Sequence, residues 1–165
     1  MKKVIWFLTF SLLFSCSSDD SANLELGDEV ENETPSNIPN EIGSVPCNNG
    51  MAGIYPCNGY DLVAHISLDD FSASEANDIW GWTDAETGKE YAIMGLDNGT
   101  VFIDISDAEN PMYLGKLPTA TTASSWRDVK VYEDFAYVVS EANGHGVQVF
   151  DLKRLRNVVG PPQKF

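Results

Sequence analysis

Cys47 and Cys57 are the first residues whose type and spacing suggest chemistry, with nine residues between them and glycines at Gly50 and Gly53. In an exported chain such an even pair is what a local disulfide needs, and loop-closure entropy assigns the bridge about 2 to 3 kcal/mol. The competing reading is a metal site, but two cysteines with no histidine at ligand spacing fall short of a tetrahedral set. His65 lies in the apolar run 62–67 and reads as a packed, hydrogen-bonded histidine. His145, in Asn143-Gly144-His145-Gly146, sits in a turn, where function concentrates and where a histidine is also simply tolerated. Asp97-Asn98 and the cluster Asp104, Asp107 and Glu109 offer oxygen ligands to Ca²⁺ but lack EF-hand spacing, so they read first as turn chemistry. Trp80, Trp82 and Trp126 would stack on a sugar or peptide if exposed and fill space between sheets if buried, with packing the default. These three and His145 are the candidate ligand-facing residues. The chain has no Gly-x-Ser-x-Gly elbow, His-Glu-x-x-His pair or phosphate-cradling loop, so the obvious hydrolase and nucleotide-binding readings lose support. No catalytic or metal-binding residue is assigned.

The third cysteine, Cys16, belongs to different chemistry. Lys2 and Lys3 precede an apolar run from Val4 to Phe14, far short of the roughly 20 residues a spanning helix needs, which is the outline of a signal peptide. Leu13-Phe14-Ser15-Cys16 resembles the bacterial lipobox. The leucine fills an apolar subsite, the small Ser15 admits a peptidase, and the Cys16 thiol takes a diacylglyceryl group and becomes the mature N-terminus. Several acyl chains on one residue anchor far more firmly than one. Residues 17–44 are polar, acidic and free of aromatic side chains, too poor in apolar surface to offset the entropy of ordering them, and read as a tether. Asp19 and Asp20, with Ser17 and Ser18, look like the short acidic export signals of surface-exposed lipoproteins. The chain carries a formal net charge of -15 and no Lys or Arg between Lys3 and Lys89. That charge disfavours nucleic acid and anionic headgroups, which leaves membrane contact to the lipid. The expected location is the bacterial envelope, at the outer membrane or cell surface.

The elements that must position the remaining residues are strands. From Asp78 onward, short runs of β-branched and aromatic residues alternate with Gly, Asn, Asp and Pro, an all-β texture. The pattern predicts strands at residues 78–83, 89–95, 100–105 and 112–117, with Asp97-Asn98-Gly99 as a hairpin turn. It then recurs at 128–132, 135–140 and 146–152, with Tyr137 standing where Tyr91 stood and Asp151 where Asp104 stood, at an offset of 46 to 50 residues. Groups of four strands at such a period are what β-propeller blades look like in sequence.

Asn77-Asp78-Ile79-Trp80-Gly81-Trp82, Gly99 to Ser106 with Asn110-Pro111, Ser125 to Tyr132, and His145 to Leu152 resemble the choice-of-anchor B proteins with LVIVD-type β-propeller repeats. The likeness runs from Val45 to about Val158 and includes the Cys47 to Cys57 segment, similar to the one before the first blade in that family. It implies residues 1–15 as lipoprotein signal peptide, 16–44 as tether, 45–77 as a disulfide-containing lead-in, and 78–165 as about two four-stranded antiparallel blades. Propellers close with about 4 to 8 blades, so the chain reads as an N-terminal fragment of a longer frame, with the outer faces of both blades uncovered. The resemblance implies a surface lipoprotein with a binding or scaffold module for a protein, peptide or glycan and no established catalysis. The alternative is an envelope enzyme whose catalytic residues lie in further blades. Metabolic labelling with a fatty acid is expected to mark the wild-type protein and not Cys16→Ala, and equal labelling of the two would refute the lipobox.

Overall fold

Alternation of apolar and polar side chains organises the strands into two packed sheets. The computed structural model describes residues 44–165, so the signal peptide, Cys16 and nearly all of the tether lie outside the described residues. Strands β1 (Met51–Ala52) and β2 (Tyr55–Pro56) form a small hairpin inside the loop closed by the Cys47–Cys57 disulfide, whose Cα atoms are 5.9 Å apart. The first main sheet is an antiparallel meander of β3 (Ala76–Thr83), β4 (Glu90–Leu96), β5 (Gly99–Asp104) and β6 (Met112–Pro118). The second is β7 (Arg127–Tyr132), β8 (Phe135–Ser140) and β9 (Val147–Asp151), also antiparallel. The all-β class and the strand positions follow the sequence pattern. Among the described residues no helix is long and apolar enough to cross a membrane.

The second sheet has three strands where the repeat predicts four. After β9 the Asp151 side chain accepts a hydrogen bond from the Lys153 backbone N–H and caps a 3-10 helix, Leu152–Asn157, which buries Leu152 and Leu155. The chain then returns to the first sheet, where β10 (Gln163–Lys164) pairs in parallel with β6. Gly115, opposite Gln163, makes this possible: a Cβ there would run into the Gln163 carbonyl and the Phe165 ring.

The two sheets share one core. Trp82, Tyr91, Ile93 and Phe102 of the first face Val129, Ala136, Val138 and Phe150 of the second. Phe102 and Phe150 stack with centroids 4.3 Å apart, and Phe165 meets both edge-on. The expectation of two uncovered outer faces holds for the second sheet only. On the first, residues 66–73 form a strap whose Ile66, Leu68 and Phe71 cover Val101, Ile103 and Met94. The strap is fixed by polar contacts too: the Lys116 ammonium donates to the Phe71 carbonyl and to Asn98 Oδ1, each at 2.6 Å, and the Asn98 amide donates to the Ser72 carbonyl.

Phe71, only 3% exposed, is the strap's apolar anchor. Phe71→Ala is expected to lower unfolding free energy by about 3 to 4 kcal/mol in urea melts, and a loss below about 1 kcal/mol would mean that the strap is not packed.

Candidate functional site

The polar residues that the fold buries converge where the sheets meet. Arg127 opens β7 with a fully buried side chain. Its Nε donates to the Leu96 carbonyl at 2.7 Å, and Nη2 donates to the Asp97 carbonyl at 3.3 Å and Thr119 Oγ1 at 2.9 Å. Nη1 lies 3.0 Å from His145 Nε2. The ring's Nδ1 is 3.0 Å from the Gly146 carbonyl, which can only accept, so the network assigns the proton to Nδ1 and leaves Nε2 to accept from Arg127. Burial pulls the guanidinium below the usual arginine range, and the nearby Asp97 carboxylate partly offsets this. Gly95 clears the path, because a Cβ there would come within 2.9 Å of the Arg127 carbonyl and 3.3 Å of its Cγ. Asp97 and Asn98 therefore act as a hub: Asp97 also receives the Ser74 and Ser124 backbone N–H groups, and Asn98 ties down the strap.

Two further contacts join the sheets. Asp78 Oδ2 accepts from the Val129 N–H at 2.9 Å and from Lys130 Nζ at 3.0 Å, and the Val129 bond first, then Lys130, holds its carboxyl below the usual range. At the opposite end of the sheets, Arg156 from the 3-10 helix grips the inaccessible carboxylate of Asp84 with Nε and Nη2, each at 2.7 Å, and its Nη1 reaches Glu86. The Glu86 N–H and Thr87 hydroxyl also donate to Asp84. The Arg156 bonds are the main reason that the Asp84 carboxyl lies far below the usual range.

Of the four candidate ligand-facing residues, two are buried and therefore do not face a ligand. Trp82 stacks on Tyr91 with centroids 5.2 Å apart, and His145 is enclosed by Arg127, Gly146 and Gln148. Trp80 is partly covered by Lys130, whose ammonium lies 4.6 Å from the ring centroid. Trp126 is 64% exposed and sits in a shallow pocket of about 230 Å³ with Asp128, Val139, Ser140 and Glu141. His65, read as packed, is instead exposed beside the Tyr55 ring, because its run passes over the first sheet as an open strap rather than a strand. It lines a groove of about 520 Å³ with Ile66, Asp70, Pro111 and Tyr113. The carboxylates weighed as Ca²⁺ ligands are engaged in turns: Asp104 pairs with Lys89 and Ser106, and Asp107 accepts from Asn110 and the Glu109 N–H. Among the described residues no group of three or more His, Cys, Asp or Glu is placed to hold a metal ion.

The stretch running from Ser124 through the buried arginine to its histidine partner is also the part of the chain that matches a known family. Residues 124–145 match the LVIVD repeat. No curated protein and no solved structure matches the chain. Both ends of the Arg127–His145 contact lie within the repeat, so here the repeat's polar residues dock one sheet on another. Sequence reasoning missed Arg127, Asp78, Asp84 and Arg156, and the single hint was that Arg127 adjoins Trp126 in a recurring segment.

Arg127→Met would leave two carbonyls and a hydroxyl without their donor, and is expected to reduce stability by about 2 to 4 kcal/mol in denaturant melts. Asp78 and Asp84 titrate lower in the fold than the unfolded value of about 3.9. Their contribution is whole above that value and is lost as pH falls toward the folded values. The melting temperature should therefore drop steeply below about pH 4. Asp84→Asn should lower it at neutral pH and flatten the acid drop, and an unchanged profile would contradict the Arg156 clamp.

Proposed function

We propose that this chain is part of a lipid-anchored envelope protein of the choice-of-anchor B kind, whose propeller-type sheets serve as a binding or scaffold module rather than as a catalyst. Export and anchoring rest on the Cys16 lipobox and the acidic tether. The module reading is supported by the LVIVD match and by the β-sheet fold. The observation that carries it is the solvent side of the second sheet. There Tyr132, Tyr137, Val139, Val147 and Val149, from 37% to 68% exposed, form one apolar face beside Trp126. A contiguous apolar sheet face flanked by an exposed tryptophan is a surface built to be covered by something else. By contrast, the strongly perturbed groups Asp84, Arg127 and Arg156 hold the sheets together, so their unusual environments have a structural explanation. A photoreactive amino acid placed at Tyr137 in intact cells should give a discrete adduct of higher mass. The same group at Tyr60, 83% exposed but outside this face, should give none. Equal adducts at both positions, or none at Tyr137, would overturn the reading.

A further inference from the structure

Asp78 and Asp128 hold the same place in two successive repeats, yet only one of them has a partner. Asp78 receives from the neighbouring sheet a backbone N–H, that of Val129, and an ammonium, that of Lys130. The same ammonium rests on the Trp80 indole, so a carboxylate and an aromatic face frame it together. Asp128 is exposed, and its carboxylate has no hydrogen-bond or ion-pair partner among the described residues. It shares its pocket with the Trp126 indole and with the Glu141 carboxylate, which is likewise unpartnered among the described residues. The sheet register places these groups on one face: Asp128 lies opposite Val139, and the Glu141 N–H donates to the Trp126 carbonyl at 3.2 Å.

The correspondence extends across the sheet. Tyr91, Ile93 and Phe102 are buried against the second sheet. Their counterparts in the next repeat, Tyr137, Val139 and Val149, face solvent. The second sheet thus presents an uncovered copy of the face with which the first sheet receives β7.

We propose that the pocket of Trp126, Asp128, Val139, Ser140 and Glu141 receives the lysine of a β-strand built like β7, presented by a partner that carries an LVIVD-type repeat and lies on the exposed face of the second sheet. This rests on the binding-module reading and names its partner. An ammonium is the ligand that satisfies both features of the pocket, since it is attracted to the indole face and neutralises the paired carboxylates. An anionic group would be repelled by Asp128 and Glu141, and a neutral sugar would leave their charge uncompensated. A second copy of this chain is a poorer fit. Its Lys130 is already held by Asp78, Trp80 occupies the equivalent position in its first sheet, and the strap covers the face that would have to dock.

The test uses the ¹⁵N-labelled protein titrated with an unlabelled peptide of residues 124–133, followed at the Trp126 indole N–H and the Val139 and Val147 amides. These resonances should shift saturably. Norleucine in place of the peptide's lysine, and separately Asp128→Asn in the protein, should each weaken binding about tenfold. Asp128→Lys, paired with a peptide carrying glutamate in place of that lysine, should restore it. Asp128 is exposed and unpartnered, so these variants should keep the wild-type amide spectrum away from the pocket. The proposal is overturned if the Trp126 indole does not shift, or if the norleucine peptide binds equally well. It is also overturned if the same resonances shift with protein concentration alone, which would assign the face to a second copy, or if a neutral disaccharide saturates them, which would assign it to glycans. The photo-crosslinking test at Tyr137 is independent of the lysine, so an adduct there without peptide binding would remove this proposal and leave the module reading standing.

Discussion

The guanidinium of Arg127, withdrawn from water and bonded to the backbone of the neighbouring sheet, is the contact on which the placement of the second sheet depends. A buried cation is costly unless its hydrogen-bonding groups are satisfied. Here the acceptors are the Leu96 and Asp97 carbonyls, Thr119 and His145, contributed by separate segments of chain. Arg127 is therefore accommodated only when the β4–β5 turn, the connection after β6 and the β8–β9 loop are all in position. This gives the interface a specificity that interchangeable apolar contacts cannot supply, because a small slip of one sheet on the other would leave several donors and acceptors unmatched.

The apolar residues then act within a register already defined. Phe102 and Phe150 stack across the interface, and Phe165 closes against both after the chain has crossed the second sheet and returned. Asp78 and Asp84 secure the interface at two further places, so neither sheet can pivot about the arginine. The two sheets differ in how their outer sides are treated. The first is covered by a strap held through Lys116 and Asn98, whereas the second offers Tyr137 and Val149 to solvent beside two unpaired carboxylates.

What the sequence reveals and what it hides divide along the range of the interactions. Strand positions are local consequences of period-2 alternation, and β8 falls on the expected residues 135–140. The Cys47–Cys57 bridge is local as well. The strap is not legible, because residues 66–73 have no periodicity and become apolar cover only through the sheet beneath them. The two-residue β10 is too short to give a pattern, and its pairing depends on the missing side chain of Gly115. Arg127 reads as an ordinary solvated strand terminus, since nothing near it reveals that its acceptors lie on other segments. Trp126 and Trp82 look alike in sequence, and only their placement on opposite sides of packed sheets separates the exposed ring from the buried one.

The return of β10 to the first sheet gives the chain an interlaced order. Contacts between Arg127 and Leu96, Asp78 and Val129, and Arg156 and Asp84 span 31, 51 and 72 residues. The last of these encloses the other two. In an ordinary repeat array each unit adds its increment to its neighbour, and partial unfolding from one end is permitted. Here the final residues complete the core of the first sheet, so peeling off the second sheet also uncovers the first. Loops of this length must close before their contacts contribute, which slows folding relative to a chain of local contacts. The same enclosure couples the two repeats into a single cooperative step, in which the first sheet reaches its full stability only once the last strand has docked.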